Sequence, residues 1–448
     1  MADQTYRYAA PTRATVTKAG YDVGLATSGG INGLDHVDNP FFFDGFVNRP
    51  EQVAQALLLV ARVARTRFFT PMNMTLAIIR AADPVVSSDG SRLRFESFSV
   101  CCGVYARLDL LPSSLDASTH LTGTTNVDFN EPMRAVLANV GGTDPFHLNV
   151  GEQVTATTLA ATATEERVPL PDRWLKGFAE AQLAGAGMRE VLTVPANRAR
   201  DFIRSLPAKT APSGPPFVVV RTPDGVRLST RPDPDGVRVG GPERLRILEP
   251  MMRFAVSVRV HAPSNPDLAG VSVWQLEMPG ARLLLTLSPE ASRGFSGEGG
   301  VLDALSDESV AADAVTVANS LYGSVDLVEV VEETGLEEDR VKAALAYLGA
   351  SGLVGYDVAE GRYFHRELPF AATERMHPRI AGARRLIEQG AVTLLPEGGR
   401  LISRGATYDV HHEGDRTTCT CHWFAKHHLE RGPCKHILAV RMAQQEAR

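Results

Sequence analysis

The alternation of apolar and polar positions along the chain predicts a mixture of helices and strands. The clearest helical pattern follows Arg49-Pro50-Glu51, where apolar side chains recur every three or four residues from Val53 to Ala64. Alternating apolar positions from Arg92 to Leu111 predict strands. Further helices are predicted at Pro171–Leu183, Ala196–Leu206 and Pro242–Phe254, and further strands at Thr124–Phe129, Gln153–Val168, Pro216–Thr222, Gly225–Thr230, Val256–Val260, Ser272–Glu277 and Leu283–Leu287. Because these elements do not follow a regular βαβ order, the pattern favours an α+β fold class over a doubly wound sheet.

The length and composition indicate several domains. The chain has 448 residues, of which 44% are hydrophobic and 22% charged, so it can bury more than one core. The first 40 residues show no sustained period, and we expect them to be a loosely structured lead-in. The remaining boundaries that we predict are α+β domains at 41–190 and 191–310, a winged-helix-like segment at 311–370 and a C-terminal metal-binding region at 371–448.

The segment from Ser324 to Phe370 resembles a winged helix-turn-helix. Two helices are predicted around a turn at Thr334-Gly335, and two strands follow them, in the order Leu327–Glu333, Glu337–Leu348, Gly352–Tyr356 and Tyr363–His365. In a DNA-binding version the start of the second helix would meet base edges, but here it reads Glu337-Glu338-Asp339, which repels phosphate. We therefore expect this segment to contact protein or to join domains.

The composition excludes several classes of protein. The N-terminus has no apolar signal-peptide region, and the longest apolar stretch is interrupted by Gln55 and Arg62, so we expect a cytoplasmic protein that spans no membrane. The formal net charge of −6 gives no overall attraction to nucleic acid, so any basic binding surface must be local. Arg62, Arg65 and Arg67 end the first predicted helix, where cations suit the helix dipole.

The N-terminal and central regions offer few catalytic candidates. Cys101 and Cys102 lie in a predicted strand without a partner His, and we expect them to act as small core hydrophobes. The Gly-rich loop Arg293–Gly300 lacks the Lys and Ser or Thr that end a nucleotide-binding loop, so a plain turn is favoured. The pattern shows no catalytic triad and no defined carboxylate pair, and we therefore expect that the protein is not an enzyme.

The most specific motif lies near the C-terminus. Cys419-Thr420-Cys421 is followed, after twelve residues, by Cys434-Lys435-His436. Three thiolates and one imidazole are the ligands of a closed, structural zinc site. Cys419 and Cys421 can face one ion from an extended turn, while Pro433 predicts a helix start that places Cys434 and His436 at the positive end of the helix dipole.

Other interpretations of these residues are less consistent with the spacing. A disulfide between positions two apart would be strained, and iron–sulfur clusters use different Cys spacings. The choice of histidine stays open from spacing alone, because five other histidines crowd the segment, namely His411, His412, His422, His427 and His428. The C-x-H pair favours His436, and zinc is the metal that we predict.

The segments Cys419-Thr-Cys-His-Trp-Phe and Gly432-Pro-Cys-Lys-His-Ile-Leu-Ala-Val resemble a SWIM zinc finger. The resemblance implies a two-stranded β unit followed by a helix, with zinc ligands in the hairpin and at the helix start. Independently of it, the pattern predicts strands at Thr407–Val410 and Arg416–Cys421 and a helical apolar face formed by Ile437, Leu438 and Met442. Trp423 and Phe424 are expected to fill the small core.

Short strings elsewhere resemble bacterial SWIM zinc finger family proteins of this length, among them Ser99–Tyr105, Arg173–Phe178, Arg293–Gly299 and Tyr363–Phe370. That resemblance implies an association with MoxR-type AAA+ ATPases and von Willebrand A-domain proteins. Our first hypothesis is thus a non-enzymatic zinc protein whose finger docks a macromolecular partner, most simply a protein. The second is a DNA-binding regulator, and the contact residues that we predict for either partner are Arg384, Arg385, Lys426, Arg431 and Lys435.

Overall fold

A computed structural model of the chain describes most of its residues. They are 5–7, 12–18, 20–32, 35–37, 40–69, 83–151, 167–169, 172–210, 217–264, 270–295, 300–306, 310–321, 323–366, 368, 377–403, 405–414, 416–429 and 431–447. Most of the strand predicted at 153–168, and residues 296–299 of the Gly-rich loop, lie outside the described residues. The described part mixes helices with several sheets, which confirms the α+β class.

The strands of the first half are β1 (Thr5–Arg7), β2 (Arg13–Thr17), β3 (Gly20–Leu25), β4 (Gly30–Asn32), β5 (Asp35–Val37), β6 (Phe43–Val47), β7 (Val85–Asp89), β8 (Leu93–Phe98), β9 (Val104–Leu110), β10 (Leu115–His120), β11 (Thr122–Asn126), β12 (Phe146–Val150) and β13 (Arg167–Pro169). Those of the second half are β14 (Met188–Pro195), β15 (Phe217–Thr222), β16 (Gly225–Ser229), β17 (Val237–Val239), β18 (Ser257–Pro263), β19 (Ser272–Met278), β20 (Ala281–Leu287), β21 (Ser324–Val325), β22 (Val354–Asp357), β23 (Arg362–His365), β24 (Val392–Leu395), β25 (Gly398–Ser403), β26 (Ala406–Glu413) and β27 (Arg416–Cys419).

The α-helices are α1 (Pro50–Arg65), α2 (Glu131–Leu137), α3 (Asp172–Ala186), α4 (Ala196–Ser205), α5 (Gly300–Ser306), α6 (Ala311–Ser320), α7 (Leu327–Thr334), α8 (Glu338–Ala350), α9 (Pro378–Glu388), α10 (His422–His427) and α11 (Lys435–Glu446). Pro112–Ser114 and Pro242–Arg253 form 3₁₀ helices. None of the helices in the described residues is both long and apolar enough to cross a membrane.

One ten-stranded sheet dominates the N-terminal part. Its strand order is β14-β18-β19-β20-β9-β8-β7-β11-β4-β5, and β20 pairs antiparallel with β9 in the middle. The sheet therefore crosses the domain boundary that the sequence predicts at residue 190, so 41–190 and 191–310 do not form separate cores. The pairing of β20 with β9 joins strands that are far apart in the chain. The local pattern of apolar residues cannot predict such a pairing.

The expected loose lead-in also contains regular structure. β2 and β3 pair antiparallel from Arg13↔Gly24 to Thr17↔Gly20, and β3 continues into a five-stranded sheet of order β10-β6-β12-β3-β2. Gly20 makes the turn possible, since its φ is +128° and a Cβ there would lie 2.3 Å from the Pro145 carbonyl oxygen. The prediction was wrong for these residues because short strands rich in Thr and Gly lack a strong apolar period.

The first helix forms for the reasons that its sequence indicates. Pro50 stands at its start, Glu51 lies in the first turn, and Arg62 and Arg65 lie in the last turn, so charges complement the dipole at both ends. Its apolar face is buried and packs on β8 and β9. The resulting core extends from the large sheet into the five-stranded sheet.

The helices and strands predicted within 324–370 are present. α6, α7 and α8 share a core with β22, and β21, β23 and β22 form a three-stranded antiparallel sheet. α7 begins with a capping box, in which the Asp326 carboxylate accepts from the Glu329 amide and the Glu329 carboxylate accepts from the Asp326 amide. α7 ends at Gly335, whose φ is +66°. We call residues 311–365 the helical module.

A buried ion network joins the turn between β22 and β23 to the large sheet. The Asp357 carboxylate, whose side chain is 0% exposed, lies 3.1 Å from the Arg107 guanidinium and 3.4 Å from that of Arg92. Glu360 lies 2.9 Å from both Arg92 and Arg282. The strand hairpin of the helical module is thus held against the body by charge pairs from distant parts of the chain.

The C-terminal region forms a four-stranded antiparallel sheet, β24-β25-β26-β27, with α9 and α11 packed together beside it. The two strands predicted here correspond to β26 and β27, although β27 ends at Cys419. β24 and β25 were not predicted. Gly398 begins β25 with a φ of +136°, and a Cβ there would lie 2.0 Å from the Val410 carbonyl oxygen, so close backbone approach requires glycine.

Candidate metal centre

Four side chains from the C-terminal region converge on one point. The Sγ atoms of Cys419, Cys421 and Cys434 and a ring nitrogen of His436 all lie within 4.8 Å of one another. All four side chains are buried, with exposed fractions between 1% and 6%. The structure thus brings together the four residues that the motif predicts as a metal site.

Local backbone geometry explains this convergence. Cys419 ends β27, and Cys421 is the N-cap of α10, where its Sγ accepts a hydrogen bond of 3.4 Å from the Phe424 amide. Between them Thr420 is exposed and pairs with Asp409 through its amide and its hydroxyl, so its side chain points away from the cluster. Two thiols two positions apart therefore face the same side.

The other two groups come from the start of α11. Cys434 is its N-cap, and His436 lies in its first turn. The helix begins at Lys435 rather than at Pro433, which precedes the cap. Both cysteines at helix N-caps lie at the positive end of a helix dipole, which stabilises thiolate.

The pKa values of the three thiols depend strongly on one another. Hydrogen bonding with Cys419 and Cys434 lowers the pKa of Cys421, whereas hydrogen bonding with Cys421 and Cys434, together with burial, raises the pKa of Cys419. One thiolate can be stabilised by its neighbours, but three thiolates at this separation repel one another. A cation at the centre is what allows all three to ionise together.

His436 is the histidine that belongs to the cluster. Its Nδ1 lies 3.8 Å from the Cys419 Sγ, and its ring stacks on that of Tyr408 with centroids 4.2 Å apart and planes 17° apart. Of the competing histidines, His412 bonds to the Thr417 hydroxyl and His427 contacts the Trp423 ring. His411, His422 and His428 are exposed. The ring positions therefore identify His436 as the histidine of the cluster, a choice that spacing alone left open.

The geometry fits a zinc ion. A zinc–sulfur bond of about 2.3 Å and a zinc–nitrogen bond of about 2.0 to 2.1 Å at the tetrahedral angle place sulfur and nitrogen about 3.6 Å apart. The observed separation between Cys419 Sγ and His436 Nδ1 is 3.8 Å, which is close to this value. Four protein donors complete a tetrahedron and leave no position for water or substrate. Such closure is typical of a structural site.

The predicted contact residues have different surroundings. Arg385 and Lys426 are exposed, whereas Arg384 is half-buried. Arg431 lies over the Trp423 ring at 5.4 Å, and the Lys435 ammonium donates to the Ser403 hydroxyl at 3.3 Å. Of these five cations, Arg385 and Lys426 are therefore the most available to a partner.

Sequence reasoning missed the group that braces the loop before α11. Arg379, on α9, donates to the carbonyls of Arg431 and Pro433, both at 2.9 Å, and lies 4.6 Å from the Trp423 ring centre. Trp423 and Phe424 are half-buried against the core of the finger rather than inside it. Ile437, Leu438 and Met442 are buried, as predicted.

The metal region does not stand apart from the rest of the chain. Its core includes Ala179 from α3, residues of α5 and Ala350 from α8. The Arg441 guanidinium on α11 also pairs with the Asp303 carboxylate on α5 at 2.6 Å. Contacts with α5 thus link the finger to the helical module, and no local pattern predicts them.

The vicinal cysteines in the large sheet differ from each other. Cys102 is buried and has a φ of +53°, whereas Cys101 is half-buried. Burial raises the pKa of Cys101, but the Ser99 hydroxyl and the backbone of Gly103, Phe69 and Phe68 hydrogen-bond to its sulfur, and the net effect is a lowered pKa. Cys102 matches the expectation of a core hydrophobe, whereas the thiol of Cys101 is half-buried and has a pKa below its ordinary value.

Comparison with known proteins agrees with the site. Residues 408–441 match the family model described as SWIM zinc finger. The chain therefore carries a SWIM zinc finger with a Cys/His cluster consistent with one structural zinc.

A search of curated proteins finds no match to the chain. Among solved structures, the chain shows a likeness to the crystal structure of proliferating cellular nuclear antigen from Entamoeba histolytica, with 8% identity and a TM-score of 0.33, covering 56% of this chain and 99% of that one. A likeness of this size assigns neither fold nor function.

Proposed function

We propose that this protein is a non-enzymatic, zinc-binding interaction protein of the bacterial cytoplasm, and that its C-terminal finger docks a protein partner. The observation that carries the proposal is the closed Cys₃His cluster, with Cys419, Cys421, Cys434 and His436 as the ligands. A site with four protein donors contributes folding energy rather than an activated water. Zinc would therefore hold the shape of a surface instead of reacting there.

The surface that the zinc would shape is formed around α10. None of the six residues of this helix is buried, although its first turn is anchored by Cys421. Its exposed groups include His422 and Lys426, and Leu429 follows with 42% of its side chain exposed. A short helix held on one side by metal and open on the other suits docking of another macromolecule.

The helical module supports protein contact rather than base reading. Its element order resembles that of a winged helix-turn-helix, but the hairpin that would form the wing is held against the large sheet by Asp357 and Glu360. The exposed start of α8 carries Glu338 and Asp339. We propose that the module joins the finger to the body. MoxR-type ATPases and von Willebrand A-domain proteins are the partners that the sequence resemblance suggests.

Site-specific photo-crosslinking in cells tests the docking surface. A benzoylphenylalanine residue replaces Lys426, and the matched control carries it at Arg227, an exposed position on β16. We expect one discrete crosslinked protein from position 426, and we expect the Cys434→Ser variant to lose it because the finger unfolds. Equal crosslinking from both positions, or crosslinking that persists in the Cys434→Ser variant, would contradict the proposal.

A second candidate function is DNA binding through the same finger. It rests on the exposed cations Arg385 and Lys426, in a region with twelve Arg and Lys against eight Asp and Glu from residue 371 onward. Arg384, Arg431 and Lys435 would add to this contact surface. Fluorescence anisotropy of the zinc-loaded protein with DNA separates the two functions. Binding that weakens steeply with salt and is lost in the Cys434→Ser variant would favour DNA.

A further inference from the structure

A basic groove lies in the N-terminal body, built from residues other than those of the finger. It has a volume of about 740 Å³, and its walls come from the end of α1, from α4 and from the 3₁₀ helix Pro242–Arg253. Five arginines and two glutamates line it, namely Arg62, Arg200, Arg204, Arg246, Arg253, Glu243 and Glu249. The chain has a net charge of −6, so a local excess of positive charge stands out against the whole molecule.

Folding creates this concentration of charge. Arg62 is one of the arginines at the C-terminal end of α1, where cations suit the helix dipole. The other four arginines come from segments more than a hundred residues later in the chain. α1 packs on the 3₁₀ helix, and α4 packs on the same helix from another side. The three helix surfaces meet along one recess, and their arginines face it together.

Two of the arginines are held in place by backbone carbonyls. One terminal nitrogen of Arg246 donates to the Leu206 carbonyl at 2.7 Å, and one of Arg200 donates to the Met252 carbonyl at 3.1 Å. Each guanidinium has further N–H donors beyond that bond. Fixing a planar guanidinium in advance lowers the entropy lost when it binds a phosphate group.

The acidic side chains do not neutralise the groove. Glu249 pairs with Arg204 at 3.1 Å, and Glu243 accepts from the Thr210 hydroxyl at 2.8 Å. Arg253 pairs with Glu51 at 2.6 Å, outside the lining. Within the described part of the chain, Arg62 has no carboxylate partner. The lining therefore keeps a net positive charge.

We propose that this groove binds the phosphate backbone of a nucleic acid. An open recess with arginines spread over three helices suits a ridge of successive phosphates, whereas a nucleotide pocket would be enclosed and would offer an apolar wall to the base. A membrane surface is broad, and proteins that dock on it place aromatic or aliphatic side chains beside their cations. Here Phe68 and Ile247 are half-buried or buried, and the recess is concave.

Charge-removing variants of the full chain test the groove. Arg62→Gln/Arg204→Gln removes two lining charges, and the control Arg227→Gln/Arg238→Gln removes two exposed charges from β16 and β17, outside the lining. The probe is a fluorescein-labelled 24-base-pair duplex, with the single strand in parallel, and anisotropy is measured between 50 and 300 mM salt. Circular dichroism checks that each variant is folded.

The wild type is expected to bind the probe with a salt-dependent affinity. The groove variant should bind about tenfold more weakly at low salt, and the slope of log affinity against log salt should fall by about 2. The control pair should stay within about twofold of the wild type, and Arg62→Lys/Arg204→Lys should retain most of the affinity because charge is kept.

Three results would overturn the groove assignment. The first is that neither duplex nor single strand binds the wild type at low salt. The second is that the groove variant and its control lose the same affinity, or that only Cys434→Ser reduces binding, which would locate the contact in the finger. The third is binding to phosphatidylserine vesicles, but not to DNA, that depends on Arg62 and Arg204. This test is independent of the crosslinking experiment. If position 426 of the finger captures no partner, the DNA affinity expected for the groove stays the same.

Discussion

The ion network between the helical module and the large sheet makes a specific stability prediction for Asp357→Asn. The substitution removes one negative charge but keeps the size of the side chain. Its remaining oxygen still accepts from the Ala359 amide, a bond that Asp357 Oδ1 makes at 3.0 Å. The effect of the change is therefore electrostatic, and the turn between β22 and β23 keeps its local geometry.

The magnitude follows from burial and from the number of cations nearby. The Asp357 side chain is fully buried, and its carboxylate lies 3.1 Å from Arg107, 3.4 Å from Arg92 and 4.0 Å from Arg282. The arginines keep other carboxylate partners, because Arg107 stays paired with Asp109 at 2.7 Å and Arg92 with Glu360 at 2.9 Å. The cost is therefore that of losing the charge-assisted contacts of one buried carboxylate, about 1.5 to 3 kcal/mol. We expect this free energy to be lost from the contact between the helical module and the large sheet, because Asp357 belongs to the module and its arginine partners belong to the sheet.

Hydrogen–deuterium exchange measures this docking directly. Peptides that cover β22 and β23 should lose protection by a factor of about ten to a hundred in Asp357→Asn, while peptides from β18 and β19 should change little. The control is Asp409→Asn, which removes a carboxylate from an exposed pair with Arg400. Equal protection of β22 and β23 in wild type and Asp357→Asn would refute the assignment of this network as the clamp.

The same carboxylate gives the docking a pH dependence. Burial raises the pKa of Asp357, but Arg107 and the other arginines outweigh it, so the pKa lies below the ordinary value of 3.8. A lowered folded pKa means that the stabilisation is present above the unfolded pKa and is lost as the pH falls through the folded one. Wild-type protection of β22 and β23 should therefore fall below about pH 3.8, and the contribution of this group should be absent from Asp357→Asn at any pH.

Three further changes test other parts of the structure. Iodoacetamide should modify Cys101 before the other cysteines in the zinc-loaded protein, because the Cys101 thiol has a lowered pKa and is half-buried. Peptide mass spectrometry after a timed reaction measures the order of modification. Tyr408→Ala removes the ring stacked on His436, and zinc transfer to a chromogenic chelator should become about tenfold faster. Gly355→Val places a Cβ 2.2 Å from a neighbouring aromatic ring, and thermal unfolding should reveal a loss of about 1 to 3 kcal/mol.

The sequence predicted those features that depend on neighbouring residues. α1 has its Pro start, its apolar period and its terminal charges within sixteen residues, and it forms as predicted. The metal cluster has its four donors within eighteen residues, from Cys419 to His436, and its Cys spacing forces two sulfurs to one side. Both features are local, and local patterns carry enough information to define them.

Features that depend on distant residues were not predictable in the same way. The pairing of β20 with β9 merges the two expected α+β domains, and only the folded chain shows that Arg107 and Asp357 are neighbours. The choice among the six histidines near the cysteines required the position of the rings. The basic groove combines Arg62 with arginines from α4 and the 3₁₀ helix, whose sequences give no sign of a shared surface.

Zinc content tests the central claim most directly. Inductively coupled plasma mass spectrometry of the purified full chain should find one zinc ion per molecule, and the ion should be lost in Cys434→Ser and in His436→Ala. His427→Ala is the matched control, because its ring contacts Trp423 and lies outside the cluster, and it should keep the metal. Stoichiometric zinc in His436→Ala, or its loss in His427→Ala, would contradict the proposed ligand set.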